Sequence, residues 1–319
     1  MLRRLGELAC LTILGLAFAR LCLGVVDNRW WSTPALLAGW ADRPYVYRQF
    51  TPLLIRALSA TTGWASMQSA AWVLRAACIG WLWALYAWAR AVLPPSAALT
   101  TALLAPLFIL PFVVGAYVYD VPHLALTTLA LALLARRQWT AYLALFPWLV
   151  LSRETAILLV PVYALLARPA LPPFQIRWAV LSQLAAAVVV KAVLAWHFAA
   201  NPGALLETHL IEQYAWLKHD RGVVVGLALL AALVIALVVR RRRAPLPASL
   251  EAVTLLIPAY FAAFILFGYP GELRAVVEVY PVLYLIAFYL VWAALTRQPA
   301  PRSVLGQLAL RRQLPAGAP

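Results

Sequence analysis

The chain has 319 residues, of which 65% are apolar, and carries a formal net charge of +15. Apolar runs of about 18 or more residues exclude an ordinary soluble domain and indicate a polytopic helical membrane protein. The charge does not point to nucleic acid, because such a site gathers basic residues on one folded surface, whereas these arginines fall between the apolar runs.

The runs lie at roughly 5–26, 65–92, 97–116, 121–135, 140–151, 154–167, 178–198, 223–239, 249–267 and 276–295. They predict an all-α transmembrane bundle of about ten membrane helices, some of them short and paired. Arg3 and Arg4, Arg136 and Arg137, Arg168 and Arg177, Arg240 to Arg243 and the arginines from Arg297 to Arg312 alternate with loops of mixed charge. The positive-inside rule places the arginine set, and with it both termini, in the cytoplasm. Nine of the eleven acidic residues then fall on the outer side, the exceptions being Glu7 and Glu251. Any chemistry is expected there.

In chain order, Met1 to Val26 has a basic start and a long apolar run without a small-residue cleavage pattern, which favours a retained first span over a cleaved signal peptide. Arg20 lies in the outer half of that span. The cysteines Cys10, Cys22 and Cys78 all lie within spans and suggest no disulfide framework. An outer loop, 27–64, holds Asp27-Asn28-Arg29 and then Asp42-Arg43-Pro44-Tyr45-Val46-Tyr47-Arg48. Its aromatic and leucine content predicts short amphipathic helices along the membrane surface. Asp27 stands at the mouth of the first span, either as a base or as an ion-pair partner of Arg29.

Arg75 lies near the middle of the second long run and needs a partner, such as a buried acid. Tyr117, Tyr119 and Asp120 precede a span of only about fifteen residues, with His123 one turn further on. A helix that short cannot cross a core of ~30 Å at 1.5 Å per residue, so Asp120 is expected to sit recessed, as an N-cap, a catalytic group or both. Thr140 to Leu166 must go out and return, as a hairpin of short helices whose tip is Ser152-Arg153-Glu154-Thr155. Charges exposed at membrane depth are costly, so Arg153 and Glu154 are read as lining a polar cavity, with Ser152 and Thr155 able to cap helix ends.

Lys191, like Arg20, lies in the outer half of its helix and either snorkels to the headgroups or lines an outward cavity and holds a phosphate. In the loop 201–221, His209 and Glu212 are one turn apart, but two ligands without a third make a weak metal signal, and a solvated polar face is the reading taken. Glu272, Arg274 and Glu278 form a further acid and base group before the last span. The segment 296–319 reads as a cytoplasmic tail, disordered or lying on the membrane. The rest, 1–295, reads as one membrane domain. No Walker motif, Ser-His-Asp order, Gly-rich dinucleotide loop or His-x-x-Glu-His run occurs, so no soluble cofactor is indicated.

The order of these features resembles the GT-C superfamily of polytopic glycosyltransferases. An early outer Asp (Asp27), a long outer loop ending in Thr51-Pro52-Leu53-Leu54, a second Asp opening a short span (Asp120), the Ser152-Arg153-Glu154-Thr155 hairpin tip and the stretch Glu272-Leu273-Arg274 to Pro281 carry the likeness over roughly 1–295. Tyr47-Arg48-x-x-x-Pro52, Tyr119-Asp120 and Arg153-Glu154-Thr155 are also similar to motifs of a group of bacterial membrane proteins. The resemblance implies a GT-C-like fold and transfer of a sugar from a polyprenyl-phosphate donor to an acceptor at the outer face of the membrane, and the arginine-rich, lysine-poor usage suggests that this is a bacterial inner membrane. It implies Asp27 as the base, with Asp42 as the alternative and Asp120 as a further catalytic carboxylate. Arg20, Arg48, Arg153, Lys191 and Arg274 would hold the phosphate, with Glu154 and Glu272 beside the substrate. The chain departs from the pattern in lacking a second acid close to Asp27, which leaves metal dependence unsupported. A transporter or flippase for a lipid-linked or anionic solute, and a non-catalytic membrane subunit, are the alternatives.

Overall fold

The computed structural model describes residues 2–25, 33–113, 116–219, 246–268 and 277–296. These are helical throughout apart from turns and one isolated backbone bridge. The elements are α1 (Leu2–Val25), α2 (Thr33–Ala38), a 3₁₀ turn (Tyr45–Tyr47), α3 (Phe50–Thr62), α4 (Ser66–Ala89), α5 (Pro95–Val113), α6 (Asp120–Ala135), α7 (Trp139–Ser152), a second 3₁₀ turn (Glu154–Leu158), α8 (Leu159–Ala167), α9 (Pro173–His197) and α10 (Leu210–His219). They are followed by α11 (Ala248–Val253), α12 (Leu256–Phe267) and α13 (Tyr280–Thr296).

Five stretches are long and apolar enough to cross a membrane: Arg3–Val25, Ser66–Ala89, Pro95–Val113, Pro173–His197 and Ala248–Phe267. Four others, Asp120–Ala135, Trp139–Ser152, Glu154–Ala167 and Tyr280–Thr296, are apolar but shorter. The expected ten spans are therefore met only in part, and the run 223–239 lies outside the described residues. Hydropathy also hid a break: the run at 249–267 is two helices, α11 and α12, parted at Thr254 and Leu255.

Helix α4 is the hub, packed against α1, α3, α5 and α6. Its tryptophans Trp81 and Trp88 are fully buried and Phe18 of α1 meets Trp81 at 5.5 Å between ring centroids. Gly15 permits the close approach of α1, since a Cβ there would stand 2.9 Å from the Ile79 Cα. At one end of the bundle Arg3 and the Tyr86 hydroxyl both donate to Glu7, at 3.1 and 2.5 Å, which ties α1 to α4. Tyr280 and Tyr284 of α13 donate to the carbonyls of Ala105 and Thr101, joining the last helix to α5 and giving both phenols an acceptor in an otherwise apolar setting.

A second, smaller apolar cluster sits at the other end. Leu36, Val46, Tyr47 and Ile55 from the 33–62 segment pack there on Tyr117, Tyr119, Leu194 and Phe198. The short helices of the 33–62 segment are thus seated on the turn before α6 and on the end of α9. A clasp fixes them: the Asn201 side chain donates to the carbonyls of Gly39 and Ala41, at 2.7 and 2.9 Å, and Arg43 donates its N–H to Pro202. Gly203, at φ +91, lies so close that a Cβ would stand 2.3 Å from the Arg43 carbonyl oxygen.

Candidate functional site

The short helices create the site. At 1.5 Å per residue α6 spans about 24 Å and α7 about 21 Å, both less than a core of about 30 Å. The start of α6 and the end of α7 therefore stop below the loop 33–62 that covers them. Helix α7 ends because Arg153 takes an extended backbone, φ −165 and ψ 145, before the 3₁₀ turn begins at Glu154. Side chains from these ends, from α9 and from the turn before α13 meet there.

The innermost group is an ion cluster. The Arg153 guanidinium is buried and donates from Nη1 to Asp120 Oδ1 at 3.2 Å and to Glu278 Oε1 at 2.7 Å. The second Asp120 oxygen accepts the Tyr117 N–H at 2.7 Å. The second Glu278 oxygen accepts the Thr155 hydroxyl at 2.5 Å and lies 3.7 Å from His123 Nε2. His123 also contacts Ser152 Oγ at 3.1 Å and Thr127 Oγ1 at 3.3 Å. One cation faces two carboxylates, so this cluster carries a net charge of about −1 when His123 is neutral.

Several expectations change here. Asp120 occupies the first position of α6, and Tyr119 is its N-cap, without a side-chain bond; the carboxylate secures the preceding turn and Arg153. Ser152 and Thr155 bind His123 and Glu278 and cap no helix end. Arg153 and Glu154 take separate partners, Arg153 pairing with Asp120 and Glu278 and Glu154 with Lys191.

Next to this cluster a cavity of about 340 Å³ opens, lined by Arg48, Arg153, Glu154, Thr155, Lys191, Glu207, His209, Tyr260 and Glu278 among its polar groups. Ala263, Phe264 and Phe267 of α12, with Leu205 and Leu206, supply an apolar wall. Lys191 forms an ion pair with Glu154 and rests over the Tyr47 ring, 4.2 Å from its centroid. Arg48 donates to the Tyr119 hydroxyl at 2.5 Å and lies over the rings of Tyr45 and Tyr119. These contacts hold both cations on the cavity wall.

Of the residues singled out in the sequence, Arg48, Arg153, Glu154 and Lys191 come together on this wall, with Asp120 directly behind Arg153. Arg20 is exposed on α1 and Asp42 is exposed on the loop, and neither lines the cavity. Arg75 is half-buried over the Trp72 ring at 4.7 Å, an aromatic partner where an acid was expected. Asp27, Glu272 and Arg274 lie outside the described residues. The structure adds Glu207 and Tyr260, and it brings to the site His123, His209 and Glu278, which the sequence named without joining them to these residues. The loop read as a solvated polar face in fact contributes Glu207 and His209 to the wall, 3.6 Å apart. Among the described residues no group of three or more His, Cys, Asp or Glu is placed to hold a metal ion. Comparison with protein-family models, with curated proteins and with solved structures returned no match.

Proposed function

We propose that the protein is a membrane glycosyltransferase that moves a sugar from a polyprenyl-phosphate carrier to an acceptor hydroxyl. The observation that supports this reading is the division of the cavity into a part with Arg48 and Lys191 and an apolar wall of Ala263, Phe264, Phe267, Leu205 and Leu206. A polyprenyl phosphate is divided in the same way, into a charged head and a hydrocarbon chain. The arginine-bearing turns at Arg136, Arg137 and Arg168 alternate along the chain with the segments that reach the cavity. By the positive-inside rule the cavity then opens outward and both termini are cytoplasmic, in a bacterial inner membrane.

In this reading the carrier phosphate lies against Lys191 and Arg48. As the bond from the sugar to the phosphate breaks, negative charge grows on the leaving group and the two fixed cations stabilise it. The planar fork of Arg48 suits phosphate oxygens, so lysine is a poor substitute there. The GT-C resemblance gives the role of base to Asp27 or Asp42; Asp42 is exposed and off the cavity wall. Asp120 and Glu278 act through Arg153, whose position they fix.

The test is transfer of radiolabelled sugar from a panel of polyprenyl-phosphate sugars by the purified protein in nanodiscs. Wild type is expected to transfer label, and Arg48→Ala and Lys191→Ala to lose about 100-fold or more in kcat/KM while keeping the wild-type Tm. Absence of transfer to any acceptor, or to water, across the panel would refute the reading.

A further inference from the structure

The carboxylates at this end differ in what already holds them. Asp120 accepts the Tyr117 N–H on one oxygen and Arg153 on the other. Glu278 accepts Arg153 and the Thr155 hydroxyl, one on each oxygen, and is buried. Glu207 faces His209. Glu154 is paired directly with the Lys191 ammonium, the Arg48 guanidinium also acts on its charge, and both members of the direct pair are about one-third exposed, at 35% and 36%, on the wall of the cavity. An ion pair partly exposed on a cavity wall is open to competition, and the carrier's phosphodiester, whose two non-bridging oxygens share one negative charge, competes with the carboxylate for the ammonium.

We propose that Glu154 is the acceptor base of the transfer, paired with Lys191 until a carrier phosphate takes the ammonium and releases the carboxylate. This rests on the transferase reading above and adds to it the order of events and the group that removes the proton. The released carboxylate is a stronger proton acceptor, because a carboxylate that loses a neighbouring cation loses the stabilisation of its charged form. The acceptor oxygen then bonds to the anomeric carbon while its proton passes to Glu154. The bond from the anomeric carbon to the phosphate oxygen breaks, and its electron pair stays on the phosphate. One carboxylate charge disappears as one phosphate charge appears, facing Lys191 and Arg48. Base activation is thereby tied to occupancy of the phosphate position.

The experiment measures binding of a ten-carbon prenyl phosphate and of the corresponding prenyl alcohol, together with turnover, for wild type, Glu154→Gln, Glu154→Asp and Asp27→Asn, each checked by Tm. Glu154→Gln should bind the prenyl phosphate about tenfold more tightly, bind the alcohol as wild type does, and lose about 100-fold or more in kcat. Glu154→Asp keeps the charge and should bind like wild type with a reduced kcat, which preserves the test if the glutamine variant fails to fold. Unchanged or weaker phosphate binding by Glu154→Gln overturns the displacement. Near-wild-type turnover by Glu154→Gln, with turnover lost in Asp27→Asn, overturns the base assignment in favour of Asp27. A wild-type protein that binds the prenyl phosphate but transfers nothing overturns the base assignment together with the transferase reading, while the binding comparison still decides the displacement.

Discussion

Arg153 is the residue on which the site turns. It was legible in the sequence because a charged tip between two short apolar runs has no cheap place to go, and the same reasoning reached Lys191, Asp120 and Glu154. Glu278 stood out only as one of several acids before the last run, and nothing in spacing could join it to Thr155, 123 residues away. Removing one partner of a buried ion cluster leaves uncompensated charge. Arg153→Ala should therefore cost about 3–5 kcal/mol, read as a lowered Tm in detergent. Combining Arg153→Met with Asp120→Asn and Glu278→Gln should recover much of that loss, since it removes the charges together. If the triple variant is no more stable than the single one, the cluster's role is not electrostatic.

At the scale of elements, the short helices were foreseen from run length alone, and their ends are where Asp120, His123, Ser152 and Arg153 meet. The expected pair of short helices is present as α7 and α8, which fold back on one another with the Tyr142 and Tyr163 rings stacked at 5.5 Å. The break between α11 and α12 is hidden from hydropathy, but Pro258 marks it: its ring nitrogen cannot donate to the Thr254 carbonyl four residues back, where the two helices part. Packing of α1 on α4 depends on Gly15, whose Cβ would meet Ile79 backbone. Gly15→Ala is expected to lower stability by about 1–3 kcal/mol through overpacking. Gly80→Ala, in the same helix pair region but with nothing within 4 Å of the added carbon, should be neutral or stabilising by about 0.5–1 kcal/mol. Equal denaturation midpoints for the two variants would show that the α1–α4 contact is not tight.

For the whole molecule, the outer surface argues for lipid. On α9, Trp178, Leu181, Val188, Val189, Val193 and Trp196 are all exposed, an apolar face that water would penalise and hydrocarbon would not. The alternation of charge along the sequence predicted that residues far apart in the chain would share one end, and Arg48, Glu154, Lys191 and Glu207 do so. Orientation can be read directly. With Cys10, Cys22 and Cys78 replaced by Ala, a cysteine introduced at Ala200, beside the clasp, should react with an impermeant maleimide on intact cells. One introduced at Ala170, in the turn between α8 and α9, should react only after permeabilisation; the reverse pattern would invert the proposed topology.

The ion cluster also has a history in time. Ribosomes make the chain from its N-terminus, so Asp120 and Arg153 exist together long before Glu278, which belongs to the turn before the last helix. Between those two points Arg153 faces Asp120 alone, a balanced one-to-one pair, and the surplus negative charge enters only with Glu278. Arrival of Glu278 completes the cluster, and the same helix docks its tyrosines on α5. Arrival of the Glu278 charge and docking of α13 are therefore one event, so that the assembled bundle differs from the intermediates that precede it by one negative charge in its interior.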